Sequence, residues 1–256
     1  MQRVAFTIVL NGMPFIEKQY DIIPKVFDKW YIVEGVVFPK CDTSWCSTIS
    51  NKFYNDDKLS IDGTTEFLDS IKSDNIIVIR KNDFWNGKLE MCNSFMADLT
   101  NTTLMQFDVD EIWSVDKLQS VLSYAEDNDY FDAMLFKCNY YMGPNLKIIS
   151  ENGYADNSYE WCRLWKIRDR TEWISHEPPI VRGCKRLLTK QYTKSNGWIF
   201  DHYAYVLESQ LEFKENFYNY SNALKEWKRL QLHGNYPCKA KDFLSWVGDN
   251  TILNTI

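Results

Sequence analysis

Val4 to Leu10 is a run of apolar and β-branched residues that stops at Asn11-Gly12, the length and texture of a strand buried on both faces. Pro14 follows, a residue suited to the first turn of a helix, and the pattern predicts a helix from there through about Phe27. Trp30 to Val33 repeats the strand pattern and ends at Glu34-Gly35. Ile76 to Ile79 is a third such run and Leu104 to Phe107 a fourth. Helical patterns lie between them, from the Asp62-Gly63-Thr64 turn to about Lys72 and from Leu89 to Leu99. Strands alternating with helices predict a mostly parallel, Rossmann-like sheet with helices on both faces, and such a sheet binds ligands at the carboxyl ends of its strands. Residues 38–60 lack sustained periodicity and read as a long surface loop, a length that usually serves function.

The second half has a different texture. After a helix from Val115 to about Ala125, Ala133 to Met142, Asn145 to Ser150 and Trp161 to Ile167 read as strands with polar turns between them, which predicts added antiparallel strands. Leu207 to Leu232 reads as one long helix, with Phe213, Phe217, Tyr220, Leu224 and Trp227 forming a core-facing stripe. The expected organisation is a single α/β domain over 1–256, divided into a ligand-binding half (1–113), a second half (114–206) and a C-terminal helix and tail (207–256).

The fourth strand ends in Asp108-Val109-Asp110-Glu111. Alternation along a strand puts residues i and i+2 on one side, so Asp108 and Asp110 face the same way at a strand tip, where paired carboxylates can hold a divalent cation against a phosphate. Asp127-Asn128-Asp129 has the same spacing but follows a helical pattern in a polar run, and reads as a solvated helix end. Asn11, Glu34, Asp62 and Asp108 all fall after strands or at helix starts and are positioned to converge on one crevice.

Composition narrows the class. Lys and Arg total 29 against 35 for Asp and Glu, and without a basic block this argues against nucleic acid as a partner while leaving a small anionic substrate held through a metal compatible. No run approaches the roughly 18 apolar residues of a membrane span, and the N-terminus turns polar too early for a signal peptide. Seven cysteines without paired metal-type spacing suit a reducing compartment, so a cytoplasmic location is expected; a Cys41–Cys46 pair is the one alternative. Aromatic residues make up 16% of the chain, including ten Trp; some such rings line sugar sites as well as cores.

Taken together, Phe6 to Gly12, Ser60-Ile61-Asp62-Gly63-Thr64-Thr65, Gly87 to Asn93, Asp108-Val109-Asp110, Trp173 to Pro179 and Phe200 to Tyr205 resemble, in order and separation, the segments of the GT-A superfamily of nucleotide-sugar glycosyltransferases, in particular its family-two-like bacterial and viral members. The stretch between Glu34 and Asp62 is longer than those enzymes usually have. The resemblance implies a GT-A fold and transfer of a sugar from a nucleoside diphosphate sugar, UDP or GDP as nucleotide, to a glycan or other hydroxyl acceptor, with Mn²⁺ or Mg²⁺ as cofactor.

It implies roles for individual residues as well. Asp110 is the expected direct metal ligand, Asp108 reaches the metal through water or meets the ribose, and His202 is a third ligand or a core histidine. Glu111 caps the next helix or supports the site. Asn11, Glu34 and Asp62 are expected near base and ribose, with a helix N-cap as the other role for Asp62. Lys88 is expected on a phosphate oxygen, or else as a solvated lysine. Glu177, its backbone fixed by Pro178-Pro179, is the expected general base of an inverting reaction, with His176 as the alternative base and a rigid surface turn as the plain reading of the segment. Arg163 and Arg168 suit substrate anions or surface ion pairs. Competing functions are a catalytically inactive carbohydrate-binding protein of the same fold and a sugar nucleotidyltransferase; the latter needs a Gly-rich phosphate loop, for which Asn11-Gly12-Met13-Pro14 is poor.

Overall fold

A computed structural model describes residues 1–38, 49–151 and 162–256. Four strands, β1 (Gln2–Val9), β2 (Lys29–Glu34), β3 (Ile76–Ile79) and β4 (Thr102–Asp108), run parallel with β1 between β2 and β4. Alternation in β1 sends Ala5 and Val9 into one apolar cluster and Val4 and Phe6 into the other. Trp30 and Ile32 part from Tyr31 and Val33 in the same way. Both faces are therefore covered, which is why these strands read as continuous apolar runs.

The antiparallel additions follow as expected. From the acidic tip the chain enters the short strand β5 (Glu111–Ile112) and then meets β6 (Ala133–Leu135), β7 (Lys137–Gly143), β8 (Leu146–Ile148) and β9 (Cys162–Ile167). A hairpin of β10 (Trp173–Ser175) and β11 (Ile180–Val181) precedes β12 (Leu187–Leu188), β13 (Ile199–His202), β14 (Cys238–Lys239) and β15 (Ile252–Thr255). The central sheet has the order β12-β6-β9-β4-β1-β2-β3, with β9 antiparallel to both β4 and β6. A second sheet, β14-β15-β8-β7-β13-β5, pairs Glu111 of β5 with His202 of β13. The C-terminal tail thus belongs to a sheet.

The helices depart from expectation where local chemistry interrupts the apolar period. The helix expected through Phe27 is α1 (Phe15–Tyr20) and then a 3₁₀ turn at Ile23–Lys25 that contains Pro24, whose missing N–H cannot extend an α-helix. The helix α2 (Thr64–Ile71) forms where expected. The one from Leu89 to Leu99 is α3 (Lys88–Asn93) followed by a 3₁₀ turn at Met96–Asp98. Ala133 to Met142 is two strands, because the chain turns at buried Phe136 and changes sheets.

The helix α4 (Val115–Asp127) buries Leu118, Val121, Leu122 and Ala125 at helical spacing, and Ser114 caps it by accepting from the Lys117 N–H. Ser114→Ala is expected to lower stability by about 1 kcal/mol, read as a lower urea midpoint at unchanged m. The helix ends at Asn128, leaving Asp129 88% exposed beside Arg168, as a solvated helix end should be.

After α5 (Lys190–Ser195), the long helix expected over Leu207 to Leu232 is a pair, α6 (Glu208–Phe217) and α7 (Ala223–Gln231). Asn219 and Asn222 between them adopt left-handed φ of 56° and 62°, a conformation Asn tolerates better than most residues. Trp227 of α7 donates its indole N–H to the Met142 and Tyr205 carbonyls, tying the pair to the second sheet. Among the described residues no helix is long and apolar enough to cross a membrane. Cys92, Cys138, Cys162, Cys184 and Cys238 are free thiols, and Cys41 and Cys46 lie outside the described residues.

Candidate functional site

The carboxyl ends of β1 and β4 open into a crevice of about 930 Å³. Asn11, Asp62, Lys88 and Asp108 line it, and so do Asp110, His176, Glu177 and His202. Residues far apart in sequence meet here because parallel strands end on one edge and because β13 adds His202 beside the acidic tip.

The turn after β1 is built for close approach. A Cβ on Gly12 would sit 2.6 Å from a Val9 methyl and 2.8 Å from a Val109 methyl, so only glycine fits. Asn11, at a left-handed φ of 56°, accepts from the Ile61 N–H and donates to the Phe53 carbonyl, tying the turn to the segment before α2. Asp62 accepts from the Thr64 and Met13 N–H groups, orienting the start of α2 while its side chain borders the crevice.

Glu34, expected at the nucleotide, does not line the crevice. Its carboxylate is fully buried, paired with Arg80 at 2.7 Å, and accepts from the Ser60 N–H and the Thr65 hydroxyl. A carboxylate ending a strand buried on both faces needs such partners, and Glu34 spends its lone pairs on the loop that carries Asp62.

Asp108 and Asp110 sit in different electrostatic settings. Arg163, on β9, donates to both carboxylate oxygens of buried Glu111 and, at 2.9 Å, to Asp108 Oδ2, while Gln106 donates to Asp108 Oδ1 at 3.0 Å. Burial pushes the Asp108 carboxyl up, but the Arg163 guanidinium, with His176, His202 and Lys88 behind it, more than offsets this and brings it to about 2. Burial dominates at Glu111 and leaves its carboxyl raised despite the same guanidinium. Glu111 thus supports the site, as Ser114 takes the cap of α4.

Asp110 faces His202, with Oδ1 3.3 Å from Nε2, and accepts from the Gln210 amide at 3.2 Å. Burial disfavours charge on His202, yet the Asp110 carboxylate raises the imidazole to about 10, and the same pairing lowers Asp110 against its own burial. Across the crevice the β10–β11 hairpin presents Glu177, bonded to Lys88 Nζ at 3.1 Å. His176 Nδ1 lies 3.7 Å from Glu177. Burial, and then Lys88, pull His176 down to about 3, so its imidazole is neutral at pH 7.

Three contributors went unassigned or unresolved in sequence. Arg163 is a buried organiser of the carboxylates, neither a surface ion pair nor solvent-facing, whereas Arg168 is a half-exposed partner of Asp129. A charged residue inside an apolar strand signals this, because it must find a buried partner. Gln210 and Lys214 reach the site from α6, four residues apart and so on one face. Burial lowers the Lys214 ammonium, with Asp110 opposing.

The fit to a divalent cation rests on the donor set. Asp110 and His202 supply one carboxylate oxygen and, when a cation displaces the proton that Asp110 favours on the imidazole, one ring nitrogen side by side, a mixed set that suits Mn²⁺ better than the oxygen-demanding Mg²⁺. Both direct oxygens of Asp108 are engaged by Arg163 and Gln106. Among the described residues no group of three or more His, Cys, Asp or Glu stands ready to hold a metal, so a cation here would take further ligands from a bound phosphate.

No protein-family model matches the sequence, and no curated protein matches it. Among solved structures the chain is similar to S. aureus TarS 1-349, at 11% identity and a TM-score of 0.41 over 65% of this chain and 47% of that one. The complexes of the same protein with UDP and with UDP-GlcNAc each give 12% identity and a TM-score of 0.40 over 62% of this chain, covering 40% and 38% of theirs. The chain spans less than half the length of these structures, and the likeness is one of partial backbone course.

Proposed function

We propose that the chain is a metal-dependent glycosyltransferase of GT-A type that moves a sugar from a nucleoside diphosphate sugar, UDP or GDP as nucleotide, to a glycan or other hydroxyl acceptor with inversion. The observation that carries this reading is the acidic tip of β4, Asp108 and Asp110, opening at the carboxyl edge of a parallel sheet into the same crevice as His202, Lys88 and Glu177. Ligand sites of open α/β sheets lie on that edge, and about 930 Å³ accommodates a nucleotide sugar.

Asp110 and His202 would hold Mn²⁺ or Mg²⁺, which when bound acts as a Lewis acid on the donor diphosphate. Asp108, fixed by Arg163 and Gln106, offers its exposed edge to the ribose. Asn11 and Asp62 border the nucleotide end. Glu177 accepts the proton of the acceptor hydroxyl, and Lys88 fixes that carboxylate at 3.1 Å.

Calorimetric titration with UDP, GDP, CDP and dTDP, each with and without Mn²⁺, tests the reading. Metal-dependent binding of one nucleotide is expected, and binding of none overturns the proposal. Asp110→Asn keeps the size of the side chain but removes the charge facing His202. It is expected to weaken Mn²⁺-dependent binding by about 100-fold, and undiminished metal-dependent affinity would remove Asp110 from the metal site.

A further inference from the structure

Gln210 fixes how α6 meets the acidic tip. Its amide oxygen accepts from the Val206 and Leu207 N–H groups, and its amide nitrogen donates to the Tyr203 carbonyl and to Asp110. All of its hydrogen-bonding capacity is spent on position. One turn later on the same face comes Lys214, whose ammonium lies over the Tyr205 ring, Nζ 4.4 Å from its centre, and whose charge is felt by Asp110. Lys214 lines the crevice, and among the described residues it forms no ion pair with any carboxylate. The other cations of the inner crevice are committed: Lys88 to Glu177, Arg163 to Glu111 and Asp108, His202 to Asp110. An ammonium drawn partly out of water without a carboxylate is an incomplete arrangement that an anion completes.

We propose that Lys214 is the anion-binding residue of the crevice and, resting on the nucleotide-sugar reading above, that it takes the phosphate of the donor nearest the transferred sugar. Lys88 then serves the base carboxylate, and the phosphate role expected for it passes to α6. In the departing nucleoside diphosphate the negative charge grows on that phosphate, so an ammonium beside it stabilises the leaving group without any proton moving.

The experiment titrates the full chain and its Lys214→Met and Lys214→Arg variants with pyrophosphate, UDP and GDP in Mn²⁺. Met keeps most of the apolar length of the lysine stem without the charge, and an unchanged Tm shows the fold to be intact. Lys214→Met is expected to weaken pyrophosphate and nucleotide binding by about 10- to 100-fold, the range of a charge-assisted contact, while Lys214→Arg stays within a few-fold of the parent. Equal pyrophosphate affinity in Lys214→Met and the parent overturns the assignment, and so does an equal loss in Lys214→Arg, whose charge is intact. If the parent binds pyrophosphate with this Lys214 dependence but neither nucleotide, Lys214 stands and the nucleotide-sugar reading falls. A parent that binds no anion overturns both.

Discussion

Glu177→Gln is expected to bind the nucleotide as the parent does and to transfer sugar about 10²- to 10⁴-fold more slowly, the usual worth of a general base. Gln matches Glu in size and keeps a carbonyl oxygen for Lys88, which donates to Glu177 Oε1 at 3.1 Å. The hairpin of β10 and β11 should therefore stay in place, and only the capacity to take a proton is lost. The competing base in the segment is His176. An imidazole held down to about 3 by burial and by Lys88 is a weak base near neutral pH, so His176→Asn should cost far less than Glu177→Gln. Single-turnover transfer from sugar derivatives of the nucleotide identified by titration separates the two. Parent-like transfer by Glu177→Gln would take Glu177 out of the mechanism, and a larger loss in His176→Asn would move the base to the imidazole.

The parts of this site that could be read from the sequence are those encoded by period and interruption. The strand from Leu104 to Phe107 announces itself as an apolar run with an acidic end, and both Asp108 and Asp110 border the crevice, but Asp110 does so from the turn after β4, where strand alternation no longer applies. Glu34 carries the same signature yet does not line the crevice. A carboxylate just past a buried strand looks like a ligand contact until Arg80, Ser60 and Thr65, all remote in sequence, are seen to satisfy it. In Leu207 to Leu232 the aromatic stripe reads as a packing face, yet Gln210 and Lys214 share that face of α6 with Phe213 and Phe217, and all four border the crevice. Asn219 and Asn222 are the visible break signal in that stretch, yet the apolar period continues across them and hides it. The period fixes which residues pack, and tertiary pairing decides which of the remaining polar residues become a site.

Arg163→Met is expected to destabilise the fold by about 3–5 kcal/mol, the range for removing one partner of a buried ion pair. Methionine fills much of the arginine stem's volume, so the loss is chiefly electrostatic. Glu111, fully buried, is left without the guanidinium that donates to both of its oxygens. The pH dependence identifies the cause. Without Arg163 the burial that already raises the Glu111 carboxyl acts unopposed, and the Asp108 carboxylate adds to it. A carboxyl raised above its unfolded value of about 4.3 favours the folded state while protonated, so the variant is most stable below that pH and loses stability as pH rises toward the raised value. Asp108 in the parent behaves in the opposite sense. Lowered to about 2, it stabilises above its unfolded value of about 3.9 and loses that contribution as pH falls toward 2. The gap between parent and variant should therefore be widest near neutrality and narrow toward pH 4, as urea denaturation across that range would show. Adding Glu111→Gln to Arg163→Met removes the stranded charge and should recover most of the loss at neutral pH. If the double variant is no more stable than the single one, or the gap does not move with pH, the destabilisation comes from packing around β9 and the electrostatic account fails.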